Sequence, residues 1–194
     1  MRTMGVSEHG ESPTPLLSRL VADIRTALRD GAADGPERTA ARVAQAVAPH
    51  LRHEGLLSPA QLEPDQWSYR QHVLHAEPDG TFSVVALVWL PGQRTSIHDH
   101  LCWCVIGTYR GAEEEVRYRL VNDAEGPFLV PVDTAMNDTG TVTFLVPPGD
   151  IHEVRNPADC TTVSIHVYGA DMSSLGSSIR RNYDLPVRSA ESCV

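Results

Sequence analysis

Three stretches of the chain carry side chains able to hold a metal or move protons. The first is His98-Asp99-His100, which follows the turn at Pro91-Gly92 and precedes a β-rich segment. In an extended chain alternate side chains share a face, so both imidazoles reach one ion while Asp99 points away and is no ligand. Taken alone, the pair fits two surface histidines in a loop equally well. The second stretch, Pro147-Pro148-Gly149-Asp150-Ile151-His152, is a turn that delivers a histidine at the start of another strand. The third, Ser164-Ile165-His166-Val167-Tyr168, has polar residues at alternate positions, which puts Ser164, His166 and Tyr168 on one side of a strand. By itself such period-2 polarity is more often a solvated face.

Two kinds of element must position these residues. Thr14-Pro15 reads as an N-cap and first helical residue, and Leu16, Leu17, Leu20, Val21, Ile24 and Leu28 then recur at helical spacing until Gly31. A second helix starts near Pro36, with Ala40, Val43, Val47 and Leu51 on one face, and Ser58-Pro59 opens a short third turn. From about Trp67 the texture changes to short β-rich segments broken by Gly, Pro, Asn and Asp, the pattern of an antiparallel sandwich or barrel. Strands are expected over residues 68–75, 81–89, 102–109, 115–120, 128–132, 141–146 and 161–168. Helices first and strands afterwards lets the helices cover one face or end of a mainly β body. The expected organisation is one domain: a disordered tail over 1–13, helices over 14–62, and a barrel with a C-terminal extension over 63–194.

With 194 residues and 41% hydrophobic content, the chain can bury one sizeable core. Sixteen Lys plus Arg against 25 Asp plus Glu give a formal net charge of -9, which argues against nucleic acid or an anionic membrane as partner and favours a small-molecule site. Cys102, Cys104, Cys160 and Cys193 have unrelated spacings, so no disulfide framework is expected. The longest apolar stretch, residues 84–91, is far short of the roughly 20 residues of a membrane helix, and no signal-peptide segment is apparent. These features lead us to expect a soluble, cytoplasmic protein with reduced thiols.

The spacing of the motifs is more specific than the motifs themselves. Gly92, five residues, His98-x-His100, three residues, Cys104, six residues and Gly111 resemble the first cupin motif. Gly140 through Pro147-x-Gly149, His152 and Asn156 resembles the second, with one extra residue before its proline. The resemblance implies a mainly β fold, a cupin double-stranded β-helix or jelly-roll barrel, with an N-terminal helical segment packed on it. Cys104 stands where most cupins have a metal-binding glutamate, and in this respect the chain resembles the cysteine dioxygenase family of thiol dioxygenases. That likeness implies Fe(II) held by three neutral histidines, His98, His100 and His152. A donor set without carboxylate keeps the full divalent charge, which favours an added thiolate and leaves positions open for substrate and O2. A closed structural zinc site is the plainer alternative.

The thiol dioxygenases have the same Ser-x-His-x-Tyr stripe facing the iron. Carried across, Tyr168 places its hydroxyl near substrate and oxygen, His166 orients it and exchanges a proton with it, and Ser164 fixes the histidine. Ser164 is then the outermost member of the chain, with no carboxylate at a readable spacing to complete a hydrolase triad. In some members the tyrosine is joined by a thioether to a cysteine at the Cys104 position, and both partners are present here; Cys102 is expected on the opposite face of that strand. The likeness covers roughly residues 69–169. Gln71 stands where animal-type cysteine dioxygenases carry a carboxylate-binding arginine, which resembles the bacterial branch that prefers 3-mercaptopropionate. That branch, however, has glycine in place of Cys104 and an arginine at the position of Ser177. Gln71 and Arg70 are the expected substrate contacts, with Arg94, Arg180 and Arg181 as further candidate carboxylate partners.

The function implied is a thiol dioxygenase, monomeric or weakly dimeric, that adds both atoms of O2 to the sulfur of a small thiol, cysteine or 3-mercaptopropionate in type, giving a sulfinic acid. The alternatives are a cupin that binds a metal or small ligand as a sensor, and a cupin dioxygenase acting on another substrate. Of the 9 histidines, His72 and His75 either line the pocket or merely occupy their strand. His9, His50 and His53 are expected to be solvated.

Overall fold

The computed structural model describes residues 13–189. The expected N-terminal tail, except Pro13, lies outside the described residues, as do His9 and Cys193.

Helix α1 (Pro15–Asp30) begins as its sequence dictates: the Thr14 hydroxyl accepts from the Leu17 N–H at 3.0 Å, Pro15 takes the first position and Gly31 follows the last turn. Helix α2 (Pro36–Val47) runs on into a 3-10 turn, Ala48–Arg52, and Ser58 opens a second 3-10 turn, Pro59–Leu62, where the Gln61 side chain accepts from the Ser58 N–H at 2.9 Å. Leu17, Leu20, Ile24, Val43, Val47 and Leu51 are buried in one core with strand residues that include Val84, Val105 and Ile165. Each fully buried side chain of this size contributes roughly 1.5–3 kcal/mol. His50 is a correction to the expected solvated set. It is buried, with its Nε2 2.8 Å from the Asp23 carboxylate of α1.

Among the described residues ten strands follow: β1 (Arg70–Ala76), β2 (Ser83–Trp89), β3 (His98–His100), β4 (Cys104–Arg110), β5 (Ala112–Asp123), β6 (Gly126–Asp138), β7 (Val142–Leu145), β8 (His152–Arg155), β9 (Thr162–Tyr168) and β10 (Ile179–Asn182). They form two antiparallel five-stranded sheets, in the orders β1-β2-β9-β4-β7 and β10-β3-β8-β5-β6. One helical turn, Met172–Leu175, joins β9 to β10. The β5–β6 hairpin is longer than its apolar pattern suggests, because the ladder continues to the Ala112–Asp138 pair through exposed positions of β6 such as Asp133, Thr134 and Met136. Cys102 is a correction: it precedes β4, which begins at Cys104, and packs against the cluster that contains Cys104 and not on the opposite face, because side chains two residues apart in extended chain share a side.

The central strand β9 is buried on both faces. Val163, Ile165 and Val167 join the core under the helices, while Ser164, His166 and Tyr168 occupy the opposite face, all three buried. The polar stripe is therefore an interior feature and not a solvated one. Two glycines set the delivery of site residues. Gly149 (φ +97°) allows the turn that feeds His152 into β8. Gly111 (φ +80°) joins β4 to β5 where an added Cβ would lie 2.4 Å from Thr162 Oγ1.

Candidate metal centre

His98 and His100 lie on β3 and His152 at the start of β8, with His98 and His152 directly paired in register. All three are buried, their ring centroids are 4.7, 4.7 and 5.0 Å apart, and one ligating nitrogen from each lies within 4.8 Å of the others. Asp99 faces away, as alternation requires. Its carboxylate pairs with Arg180 and accepts from the Tyr183 hydroxyl at 2.9 Å.

Each ring is held by an acceptor at Nδ1: Ser96 O at 2.8 Å for His98, Asp150 Oδ2 at 2.9 Å for His100 and Glu115 Oε1 at 3.0 Å for His152. The same Asp150 oxygen also accepts from the His100 backbone N–H at 3.0 Å. With Nδ1–H donating outward in all three, every Nε2 keeps its lone pair for an ion in the middle. Electrostatics agree. Burial, then the neighbouring His152 and His100, lower His98 to about 3, and burial likewise lowers His152, so these rings stay neutral. Burial pushes the Glu115 carboxyl up, but His152 and Arg117 outweigh it and hold it at about 2. Three oriented imidazoles, two backed by carboxylates and one by a backbone carbonyl, fit a divalent transition metal.

The same interior holds the chain expected on β9. The Tyr168 hydroxyl is 3.1 Å from His166 Nδ1, and His166 Nε2 is 3.0 Å from Ser164 Oγ. Burial and the three metal-site histidines lower His166 to about 3. Burial, with the neighbouring Cys104, pushes the Tyr168 hydroxyl well above the ordinary phenol range, and Ser178 opposes this by hydrogen bonding to it. Cys104 sits directly opposite Tyr168 across the β4–β9 ladder, with Sγ 3.7 Å from His166 Nδ1. Burial raises its thiol well above the usual value, so it is a neutral SH.

A narrow cavity of about 30 Å³, counted as space for the centre of a water molecule, opens onto these groups. Its walls include the three histidines, His166, Tyr168, Tyr69, Gln71, Trp89 and Ser178. Gln71, on β1, lines this cavity. Arg70 points elsewhere, with its guanidinium 3.7 Å from Glu63, and among the described residues no arginine lines this cavity. His72 and His75 merely occupy β1, meeting Glu63 O at 3.1 Å and Glu77 at 2.7 Å. Sequence reasoning assigned no role to Asp150 or Glu115, nor to Tyr69 and Ser178. A larger hollow of about 700 Å³ lies between α1 and the barrel, lined by Arg25, Glu77 and Phe82 among others, and holds none of this chemistry.

The fold and site together define a mainly β cupin barrel with a three-histidine metal centre. The chain belongs to the cysteine dioxygenase type I family, whose pattern matches residues 60–178, more than half of its length. Among solved structures it is similar to a Cupin 2 conserved barrel domain protein from Salinispora arenicola, with 25% identity over 60% of this chain and 87% of that one and a TM-score of 0.40. It is also similar to an RmlC-like cupin protein from Desulfovibrio desulfuricans, with 19% identity, 61% and 96% coverage and a TM-score of 0.43. A Klebsiella pneumoniae protein with a double-stranded β-helix domain matches at 16% identity, with 61% and 92% coverage and a TM-score of 0.43.

Proposed function

We propose that the protein is a non-haem iron dioxygenase that converts a small thiol to its sulfinic acid. The observation that carries this reading is the presence, beside one narrow cavity, of three histidines held at Nδ1 with their Nε2 atoms free and of the Tyr168–His166–Ser164 chain. A passive binding site has no use for the second. Fe(II) bound by His98, His100 and His152 would supply open coordination positions and the redox chemistry for adding both atoms of O2 to a thiolate sulfur. The reaction R–SH + O2 → R–SO2H needs no further reductant.

The chain's own residues then bind, orient and exchange protons. Tyr168 presents a protonated hydroxyl to the cavity, with His166 fixing it from Nδ1 and Ser164 fixing the ring from Nε2. Gln71, Tyr69 and Ser178 offer neutral hydrogen-bonding groups to the polar end of the substrate. The cavity volume favours a thiol of few heavy atoms. The test is to load the protein with Fe(II) and follow O2 uptake with cysteine, 3-mercaptopropionate, cysteamine and mercaptosuccinate, identifying products by mass. Thiol-dependent uptake with a sulfinic acid product is expected; no uptake with any thiol sinks the proposal and leaves a binding or sensing cupin.

A further inference from the structure

One buried carboxyl in the barrel is not used by the metal site. Glu113 lies on β5 two residues before Glu115, so both point inward, and both are almost fully buried, at 1% and 2% exposure. Their partners differ. Glu115 is committed to His152 and Arg117, whereas Glu113 reaches across the barrel to Ser164 and the Trp89 indole. Trp89 Nε1–H also donates to Ser164 Oγ at 3.3 Å. Glu113 Oε1 is buried with no hydrogen-bond partner, and of the two groups that hydrogen bond to this carboxyl, the Ser164 hydroxyl and the Trp89 N–H, only the hydroxyl can also accept a proton from it. The residue that ends the β9 chain on the side away from the cavity is therefore an acid, and not the serine.

We propose that Glu113 is the proton terminus of the Tyr168–His166–Ser164 chain, accepting through it the proton that a thiol gives up on binding. The inference rests on the thiol dioxygenase reading of the site. In the starting state Tyr168 O–H donates to His166 Nδ1, His166 Nε2–H donates to Ser164 Oγ, and Ser164 O–H donates to the Glu113 carboxylate. The S–H bond of the thiol breaks and its proton passes to Tyr168 Oη, as the Tyr168 proton passes to Nδ1, the Nε2 proton to Ser164 Oγ and the Ser164 proton to Glu113. One S–H bond is lost and one carboxyl O–H bond is gained. Tyr168, His166 and Ser164 each finish neutral, with the hydrogen bonds reversed. No imidazolium or tyrosinate is needed, which matters because burial disfavours both.

Burial raises the Glu113 carboxyl to about 7, moderated by its hydrogen bond to Ser164 and increased by the charge of Glu115. That leaves it able to give or take a proton near neutrality. The groups around it are Ser164 with His166 behind it on β9, the Trp89 N–H from β2, Cys104 from β4, the neutral Asn137 opposite it on β6 and Glu115 on its own strand. Among them, Glu115 at about 2 stays ionised and the Cys104 thiol stays protonated across this range, which leaves Glu113 as the titrating member.

The state of Glu113 dictates the tautomer of His166, so the ring reports on the chain without any thiol present. In zinc-loaded full-length protein labelled with 15N-histidine, the His166 tautomer should change from Nδ1–H to Nε2–H across a transition near pH 7. Glu113→Gln should make the tautomer independent of pH. Ser164→Ala, which keeps the acid but breaks the link, should do the same and covers the case in which Glu113→Gln fails to fold. A switch that persists in either variant, or a wild-type ring with no switch, overturns the proposal. A second readout follows the thiol proton directly. Above the Glu113 transition, anaerobic binding of 3-mercaptopropionate or cysteine to the iron-loaded protein should release about one more proton per site to an indicator dye in Glu113→Gln than in the wild type. Equal release overturns the proton uptake. Normal O2 uptake without the tautomer switch removes only the role of Glu113, whereas absence of uptake with every thiol removes the dioxygenase reading and the thiol as proton source.

Discussion

Replacing Glu115 by glutamine keeps the shape of the side chain and changes only its charge and hydrogen-bonding pattern. In the native site one oxygen, Oε1, accepts from both His152 Nδ1 at 3.0 Å and Arg117 Nε at 3.1 Å, while Oε2 accepts from Arg117 Nη2 at 3.3 Å. An amide whose oxygen stays on His152 turns its NH2 against the Arg117 guanidinium; the flipped amide loses His152. In either orientation one contact becomes donor against donor, and the surviving bond to His152 loses the charge assistance that roughly doubles its strength. The negative charge behind the ligand goes as well. Outer partners of metal-bound histidines are worth about 10–100-fold in metal affinity, or about 1.4–2.7 kcal/mol, and Glu115→Gln should fall toward the upper end. Asp150→Asn is the control. One oxygen, Oδ2, serves both the His100 ring and its backbone N–H, and Oδ1 has no partner, so an amide keeps both bonds and meets no opposing donor. Its loss should be about tenfold or less. Anaerobic chelator competition gives both affinities, with circular dichroism to confirm the fold. Affinity within twofold of wild type for Glu115→Gln, or a larger loss for Asp150→Asn, would refute the reasoning.

Other consequences follow from the same geometry. Tyr168→Phe should retain iron but slow turnover or uncouple it from O2 uptake, since only the hydroxyl held by His166 is lost; iron content and the ratio of product to O2 consumed check this. Because Cys104 faces Tyr168 across the ladder, repeated turnover with O2 should join them by a thioether, seen as a loss of two hydrogens in intact and peptide mass spectra; its persistence in Cys104→Ala would exclude this pairing. For the metal-free protein, His98 and His166 are lowered from 6.5 to about 3 and His152 is lowered too, so the unfolded chain takes up protons first and stability falls as pH drops below about 6.5. Glu113, raised from 4.5 to about 7, opposes this between those values. The histidines outnumber it, leaving at least about one net proton, or about 1.4 kcal/mol per pH unit. Below 4.5 the lowered Glu115 adds to the loss as pH falls toward 2. Denaturant midpoints at pH 7 and pH 5 should show a lower value at pH 5; the reverse order would contradict the assignment of neutral histidines.

The ligand set was legible because strand alternation and a turn fix it locally: His98 and His100 share a face at any register, and the Pro147–Gly149 turn sets where His152 enters its strand. The β9 stripe was legible for the same reason, although its burial was not, since that depends on helices distant in sequence packing on the other face. What the sequence hid is what pairing brings together. Glu113, Glu114 and Glu115 form no local motif with the site residues, and only the β5–β8 register sets Glu115 behind His152. The same pairing and the closure of the barrel carry Glu113 to Ser164, so the carboxyl missing from the local motif is supplied by another sheet. Short β10 has too few residues for a periodic signal, yet it closes over Asp99 and commits Arg180 to that carboxylate. His50 was misjudged because its partner, Asp23, is on another helix.

The central claim is that three histidines and the β9 chain serve addition of dioxygen to sulfur. Turnover of the iron-loaded protein under 18O2 with its best thiol, with His152→Ala run in parallel, tests this most directly. The account predicts a sulfinic acid carrying two labelled oxygen atoms in the wild type, and neither product nor retained iron in the variant. A product with one label, a disulfide alone, or full activity in His152→Ala would contradict it.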